Sequence, residues 1–187
     1  MELRNKDAKI IIISGKARNG KDTVMSYLRD NYENIGKKVI NLQYSTYIKD
    51  YAKRISNWDG SDETKPRELL QELGTEIIRN KIDKEFFIKR MIGDIKVYSY
   101  FFDVIIISDA RIDIEIDMIK NQFNNVTSIN VKRPNFDNGL TSIQKSHYTE
   151  IMLDSYEKFD YEIINDEGLS ELEEKVNNIF NELRSEE

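Results

Sequence analysis

The first apolar run of the chain ends in a loop bracketed by glycines, and this junction constrains the fold more than any other stretch. Residues 9–14 (KIIIIS) have the pattern of a buried strand, and residues 15–21 (GKARNGK) read G-x-x-x-x-G-K. A helical pattern then runs from about Gly20 to Ile35, and Gly36 is expected to end it. Loop amides between a strand and a helix form an anion cradle, and glycine lets the backbone approach a phosphate closely. The sequence therefore predicts a phosphate-binding loop at a strand-to-helix junction of an α/β domain.

Individual residues of this loop have predicted roles in nucleotide binding. Lys21 is expected to reach the β- and γ-phosphates. The next residue is Asp22, where such loops usually carry serine or threonine, and Thr23 follows one position later. A bound magnesium ion is therefore expected to be held by Thr23 or Asp22. The loop residues predicted to bind the nucleotide are Gly15, Lys16, Asn19, Gly20, Lys21, Asp22 and Thr23.

Composition limits the class of protein. A chain of 187 residues suggests one domain, and the absence of cysteine excludes disulfides and fits a reducing cytoplasm, where we expect the protein to reside. The net charge of −6 and the lack of a basic stripe argue against a nucleic-acid polymer as partner. Met1–Asp7 is charged, so no signal peptide is expected, and no apolar run approaches the roughly 20 residues that span a bilayer.

The remaining apolar runs predict an α/β fold in which a five-stranded parallel sheet has helices on both faces. Strands are predicted at residues 9–14, 38–42, 103–108, 126–131 and 161–164. Between the second and third strands, an insertion over about 44–98 contains a helix that Pro66 opens and a helix that Asp83 caps. Ser170 and Glu173 predict a capping box at the start of the last helix.

Two further segments are expected to contribute to the site. Asp109 follows a buried apolar strand, where phosphate-binding-loop enzymes place an aspartate that helps to hold magnesium. Alternatively, Asp109 simply caps the helix predicted over 111–123. Residues 132–150 show no clear periodicity, and a loop of this length is typical of a lid. This segment contains His147, the only histidine, and a lone histidine is more often structural or exposed than catalytic.

Basic residues are scattered through an otherwise acidic chain. Those of interest are Lys16, Arg18, Lys21, Arg67, Arg79, Arg111 and Arg133. If they converge, they form a locally positive cleft that suits a small phosphorylated ligand. The alternative is that most of them are solvated surface charges.

One motif match points to a different function, that of a GTP switch, and is disfavoured. Residues 80–83 (NKID) match the N-K-x-D signature with which GTP switches read guanine. Here the match joins two predicted helices instead of following a buried strand, and no D-x-x-G follows a strand. We therefore do not expect a GTPase.

Several stretches, in order along nearly the whole chain, resemble the phage-type deoxynucleoside monophosphate kinases. The similar stretches are the phosphate-binding loop with Asp22 after its lysine, Ile48-Lys49-Asp50, the R-x-L-L-Q-x-L-G-T-E helix that starts at Arg67, Asp109-Ala110-Arg111, Arg133-Pro134, His147-x-Thr149-Glu150 and Asn165-Asp166. The chain departs from the family in being shorter between strands 2 and 3. Animal-type phosphomevalonate kinases share the loop and the D-x-R turn. Dephospho-CoA kinases share the architecture but usually keep serine or threonine after the lysine.

The resemblance implies a nucleoside monophosphate kinase-like fold and transfer of the γ-phosphoryl group of ATP to a (deoxy)nucleoside monophosphate, with Mg²⁺ as cofactor. It implies catalytic roles for Lys21, Arg18, Asp109, Arg111 and Arg133, acceptor binding by Lys49, Arg67, Gln71 and Arg79, nucleotide binding by Asn165, and magnesium binding by Asp22, Thr23 and Asp109. The expected partners are small nucleotides, without a nucleic-acid polymer or a membrane. A catalytically inactive nucleotide-binding regulator, the identity of the acceptor and the formation of a homodimer stay open.

Overall fold

Five parallel strands form one sheet, as the sequence predicts. The computed structural model describes residues 4–185, apart from the side chains of residues 143 and 144, so part of the charged start of the chain lies outside the described residues. The strands are β1 (Lys9–Ser14), β2 (Val39–Leu42), β3 (Val104–Ala110), β4 (Val126–Lys132) and β5 (Tyr161–Ile164). Their order is β2-β3-β1-β4-β5, and every pairing is parallel. The strands therefore all end at the same edge of the sheet.

Helices cover both faces of this sheet. They are α1 (Lys21–Asn34), α2 (Tyr44–Ser56), α3 (Arg67–Gln71), α4 (Phe86–Tyr98), α5 (Asp113–Gln122), α6 (Ser142–Lys145), α7 (Tyr148–Ile151) and α8 (Leu169–Ser185). A π-helix (Glu72–Ile82) continues α3, and a 3₁₀ turn (Met152–Ser155) follows α7. Within residues 4–185, no helix has the length and apolar character that crossing a bilayer requires.

The central strand β1 divides the core into two layers because successive side chains of a strand point to opposite faces. Ile11 and Ile13 pack with α1 and α8, whereas Ile10 and Ile12 pack with α4 and α5. All four isoleucines are buried. A strand buried on both faces reads as a continuous apolar run, which is why this strand was predictable from the sequence.

Several predicted boundaries and caps are wrong. The helix α8 begins at Leu169, and the Leu172 amide donates to the Gly168 carbonyl, so Ser170 lies inside the first turn and is not the capping residue. The α3 helix begins one residue after Pro66. The predicted lid, 132–150, contains the four-residue helix α6 and most of α7, which are too short to show a sequence period.

The π-helix was not predicted, because bonding from each residue to the fifth one along has no sequence period that distinguishes it from an α-helix. Gly74, its third residue, packs against α2. A Cβ atom at Gly74 would lie 3.0 Å from Cδ1 of Ile48. This close approach explains a glycine inside a helical segment, where it costs about 1 kcal/mol relative to alanine.

We expect Phe180→Ala to destabilise the protein by about 3 kcal/mol, because the loss of a buried aromatic ring leaves a cavity. The Phe180 ring packs edge-on against Tyr32 of α1, with 4.9 Å between ring centroids. Urea unfolding measures the change. Leu169→Ala on the same helix is the matched control, because Leu169 is 66% exposed and should change stability by less than about 0.5 kcal/mol. Equal losses in the two variants would contradict the packing described for α8.

Candidate active site

The predicted phosphate-binding loop is packed tightly against the end of β4. Gly15 has a φ of +146°, and a Cβ atom there would lie 2.3 Å from the Val131 carbonyl oxygen. The Asn19 side-chain amide donates to the same oxygen over 3.0 Å. Only glycine tolerates both this backbone conformation and this contact. The neighbouring strand therefore fixes the start of the loop.

A second contact supports the loop from the end of β5. The Asn165 side-chain amide donates to the Asn19 carbonyl over 2.9 Å. Gly20 has a φ of +99°, and a Cβ atom on it would lie 2.6 Å from Nδ2 of Asn165. Asn165 thus contacts the backbone of the loop. It lines neither of the two clefts that open beside the loop.

Two clefts open where the strands end, on either side of the loop. The larger has a volume of about 580 Å³ and is lined by nine of the predicted site residues: Arg18, Lys21, Asp22, Lys49, Arg67, Gln71, Arg79, Asp109 and Arg111. The smaller has a volume of about 360 Å³ and is lined by Gly15, Lys16, Asn19, Arg111 and Arg133 among others. Arg111 borders both. The basic residues scattered along the sequence therefore do gather at one edge of the sheet.

Seven of the predicted site residues do not line the larger cleft: Gly15, Lys16, Asn19, Gly20, Thr23, Arg133 and Asn165. Arg133 lines only the smaller one, where its guanidinium carbon lies 3.8 Å from the centroid of the Phe136 ring. Thr23 is half-buried in the first turn of α1 and lines neither cleft within the described part of the chain. Asp22, the other residue that the sequence suggests for magnesium at this turn, does line the larger cleft.

Lys21 is a buried cation at the start of α1. Its ammonium group donates to the Lys16 carbonyl over 2.7 Å. Burial lowers the pKa of Lys21 to about 8, and the nearby Arg111 charge acts in the same direction. An anion bound beside Lys21 would favour its charged form, so the electrostatics suit a phosphate ligand.

Asp109 caps a different helix from the one considered in the sequence. Its carboxylate accepts hydrogen bonds from the backbone amides of Tyr44 (2.8 Å) and Ser45 (3.0 Å), in the first turn of α2. The reason is topological: β2 and β3 are neighbours and parallel, so the end of β3 lies beside the chain that leaves β2. The alternative that Asp109 caps α5 is therefore wrong.

The cap of α5 comes from Glu115, a residue that sequence reasoning missed. One carboxylate oxygen accepts from the backbone amides of Arg111 (2.7 Å) and Ile112 (3.3 Å), and the other pairs with Nη2 of Arg79 over 2.7 Å. Burial raises the pKa of Glu115, and the Arg79 guanidinium opposes that shift. The sequence does contain an indication that Glu115 is buried, because this residue lies three positions after Ile112 and four before Ile119, on the apolar face of its helix.

The predicted lid touches the loop through a carboxylate. Oε2 of Glu150 accepts a hydrogen bond from the Ala17 backbone amide over 3.1 Å, and Oε1 forms an ion pair with Nη1 of Arg111. The Arg18 guanidinium donates to the Asn138 carbonyl over 2.9 Å. The protein's own anion therefore rests on an amide of the loop that the sequence predicts to bind phosphate.

His147, in the same segment, has a structural role as well as a place in the larger cleft. Its Nδ1 atom accepts from the Thr149 amide at the start of α7, over 3.4 Å, and lies 2.9 Å from the Thr149 hydroxyl. The ring also lines the larger cleft.

The family follows from a comparison with protein-family models. The model for deoxynucleotide monophosphate kinase matches residues 33–176. The chain belongs to this family. It is therefore a kinase-like phosphotransferase, and nucleotide-dependent phosphoryl transfer is its class of reaction. The match begins after the phosphate-binding loop, so the packing of that loop is separate support for nucleotide binding. A search of curated proteins finds no significant match.

Solved kinase structures share the fold of this kinase. A sugar kinase from Janibacter sp. superposes with a TM-score of 0.57 at 12% identity, covering 91% of this chain and 93% of that one. APS kinase CysC from Mycobacterium tuberculosis, in complex with AMPPNP and APS, gives 0.53 at 10% identity (93% and 98%). Shikimate kinase from Aquifex aeolicus gives 0.50 at 14% identity (95% and 97%). At these identities the likeness is one of fold.

The residues of this kinase fit the way proteins hold magnesium with a nucleotide. Mg²⁺ is usually bound by one or two carboxylates together with phosphate oxygens and water, without a cage of protein ligands. Within residues 4–185, no three His, Cys, Asp or Glu side chains converge into such a cage. Asp22 and Asp109 line the same cleft as Lys21, which is the arrangement that a nucleotide-borne ion needs.

We expect Glu150→Gln to bind AMPPNP about fivefold more tightly than the wild type, because it removes a competing charge worth about 1 kcal/mol from the loop. Isothermal titration calorimetry with Mg²⁺ and AMPPNP measures the change. Glu157→Gln is the matched control, because Glu157 is exposed and lines neither cleft. Unchanged or weaker binding in Glu150→Gln would show that its carboxylate does not compete with the nucleotide.

Proposed function

We propose that this kinase transfers the γ-phosphoryl group of ATP to the phosphate of a deoxynucleoside monophosphate, which yields the diphosphate and ADP. The observation that carries the proposal is the continuity of the larger cleft. It runs from Lys21 and the phosphate-binding loop to a second group of cations on the helical insertion, Lys49, Arg67 and Arg79. Binding of one nucleotide does not need a second cationic group, whereas transfer between two phosphates does. The family match supports the choice of acceptor.

The loop forms the donor half of the site. Its amides and Lys21 hold the β- and γ-phosphates, and the residues that line the smaller cleft, Lys16, Asn19 and Arg133, contact the rest of ATP. Gly15 and Gly20 keep the loop against β4 and Asn165, so the amides are in place before the nucleotide arrives. Preorganised donors of this kind stabilise the transition state without reorganisation during the reaction.

The insertion forms the acceptor half. Arg79 is held by Glu115, whereas Arg67 and Gln71 are exposed along α3 and can adapt to the bound monophosphate. Lys49 extends from α2 into the same cleft. These side chains hold the acceptor phosphate with one of its oxygens directed at the γ-phosphorus. That oxygen is already nucleophilic, so no covalent intermediate with the protein is needed.

Arginines between the two halves neutralise the charge of the phosphoryl group in transit. Arg111 borders both clefts, and Arg18 lies on the loop itself. Phosphoryl transfer depends mainly on positioning and charge neutralisation, which is the chemistry that these residues supply. Asp22 and Asp109 would hold a bound magnesium ion, with Thr23 as a more distant candidate, and the ion would supply positive charge that neutralises the phosphates. Closure of residues 132–150 excludes water and so suppresses ATP hydrolysis.

The test is coupled ADP formation with Mg²⁺, ATP and a panel of acceptors. The panel contains dAMP, dCMP, dGMP, dTMP, the matching ribonucleotides, phosphomevalonate and dephospho-CoA. We expect at least one deoxynucleoside monophosphate to stimulate ADP release well above the rate with ATP alone. Lys21→Ala should lose about 100-fold or more in turnover, the size expected for one transition-state charge contact. Lys158→Ala, on an exposed side chain outside both clefts, is the matched control.

Three outcomes would contradict the proposal. If no acceptor stimulates ADP release, while ATP still binds tightly by calorimetry, the protein is a nucleotide-binding regulator. If only phosphomevalonate or dephospho-CoA is used, the reaction class holds and the acceptor is wrong. If Lys21→Ala keeps full activity, the loop does not take part in transfer.

A further inference from the structure

Glu115 is an acidic side chain in a position where acidic side chains are rarely found. It is 1% exposed, and within residues 4–185 it is the only aspartate or glutamate that is buried. Taking a carboxylate out of water is strongly unfavourable unless it is paired and hydrogen-bonded. An exposed aspartate or serine would cap α5 without this cost. The burial therefore indicates a role beyond starting a helix.

One oxygen of Glu115 fixes a cation of the acceptor half. It lies 2.7 Å from Nη2 of Arg79, whose side chain is only 10% exposed. Nη1 of Arg79 donates to the Gly74 carbonyl over 3.3 Å, and the central guanidinium carbon lies 5.3 Å from the centroid of the Phe87 ring. These three contacts hold the guanidinium at the edge of the larger cleft.

The second oxygen of Glu115 fixes the turn after β3 that carries Arg111, the arginine that borders both clefts. It accepts from the backbone amides of Arg111 and Ile112, two and three residues after Asp109. The Glu115 backbone carbonyl also accepts from the hydroxyl of Tyr44, over 3.2 Å. The Tyr44 amide in turn is held by Asp109. One buried residue thus connects the π-helix, the turn after β3 and the first turn of α2, all of which line the larger cleft.

We propose that Glu115 is a positioning residue for phosphoryl transfer, which sets the Arg79 guanidinium and the turn bearing Arg111 at a fixed separation. This inference rests on the proposed function. Arg79 holds the acceptor phosphate and Arg111 the group in transit, so a change in their separation moves the acceptor oxygen off the line of attack. Misplacement of this kind reduces turnover even when the substrates still bind.

Glu115→Gln tests the proposal, because the amide keeps the size of the side chain and one acceptor oxygen for the turn. Its NH₂ group faces Arg79, which has only donors. The assay uses ATP and whichever of dAMP, dCMP, dGMP and dTMP the wild type turns over. We expect the acceptor KM to rise about tenfold and kcat to fall about tenfold or more, as for loss of a charged hydrogen bond, with the ATP KM changed less than about twofold. Glu115→Asp should recover part of both losses.

A double-variant cycle separates positioning from simple loss of structure. If Glu115 acts through Arg79, Glu115→Gln combined with Arg79→Gln has an acceptor KM no higher than that of Arg79→Gln alone. Asp117→Asn is the matched control, since Asp117 lies on the same helix and accepts from the Tyr156 hydroxyl (2.7 Å) outside both clefts. If Glu115→Gln does not fold, Glu115→Asp replaces it. That variant keeps the charge but withdraws the carboxylate by one methylene group, and we expect a smaller rise in acceptor KM, again with little change in the KM of ATP.

The outcomes that overturn the inference are distinct from failure of the proposed function. Equal changes in the KM values of ATP and acceptor, independent effects in the double variant, or a lower melting temperature with unchanged kinetics would each assign Glu115 a structural role only. Full activity in Glu115→Gln would also overturn the inference, because the Arg79 guanidinium would then not need Glu115 for transfer. If the wild type turns over none of the four deoxynucleoside monophosphates, the proposed function fails and the inference fails with it.

Discussion

The parallel pairing of the three central strands is the constraint on which the rest of the site depends. Because β1, β3 and β4 run in one direction, their ends meet at one edge of the sheet. The end of β1 supplies the loop, the end of β3 supplies Asp109 and Arg111, and the end of β4 supplies the Val131 carbonyl that fixes Gly15. Ligands of open α/β sheets bind at this edge for the same reason. Burial of the isoleucine run on both faces of β1 therefore stabilises the fold and also fixes the position of the loop at this edge of the sheet.

Charge balance explains how so many cations share one cleft in a folded protein. Arg79 is paired with Glu115, and Arg111 with Glu150. Lys21 has no carboxylate in contact with its ammonium group within the described residues; it donates to a carbonyl, and burial lowers its pKa. The paired arginines keep fixed positions, whereas Lys21 gains most from an incoming phosphate. This division fits a site in which Lys21 binds the incoming nucleotide, while the paired arginines keep their side chains in fixed positions.

Much of this architecture was predictable, and the exceptions have physical reasons. The strands and the apolar face of α8 follow from local periodicity, and the loop follows from a motif whose glycines serve the backbone. Contacts between distant segments were not predictable. Asp109 caps α2 because β2 and β3 are neighbours, which no local pattern specifies. The buried role of Glu115 depends on a π-helix that places Arg79 opposite it. The sequence shows which residues are charged, but the groups with which they pair are brought together only by the fold.

The central claim is that one continuous cleft holds a nucleotide and a monophosphate with their phosphates in line. Its most direct test is calorimetric binding of bisubstrate ligands in which adenosine is joined to each of the four deoxynucleosides through five phosphates. The account predicts that at least one of them binds about 100-fold more tightly than ATP, since linking two ligands removes the entropy cost of the second binding event. It also predicts that Lys21→Ala and Arg79→Gln each weaken that binding. A bisubstrate ligand that binds no more tightly than ATP would contradict it.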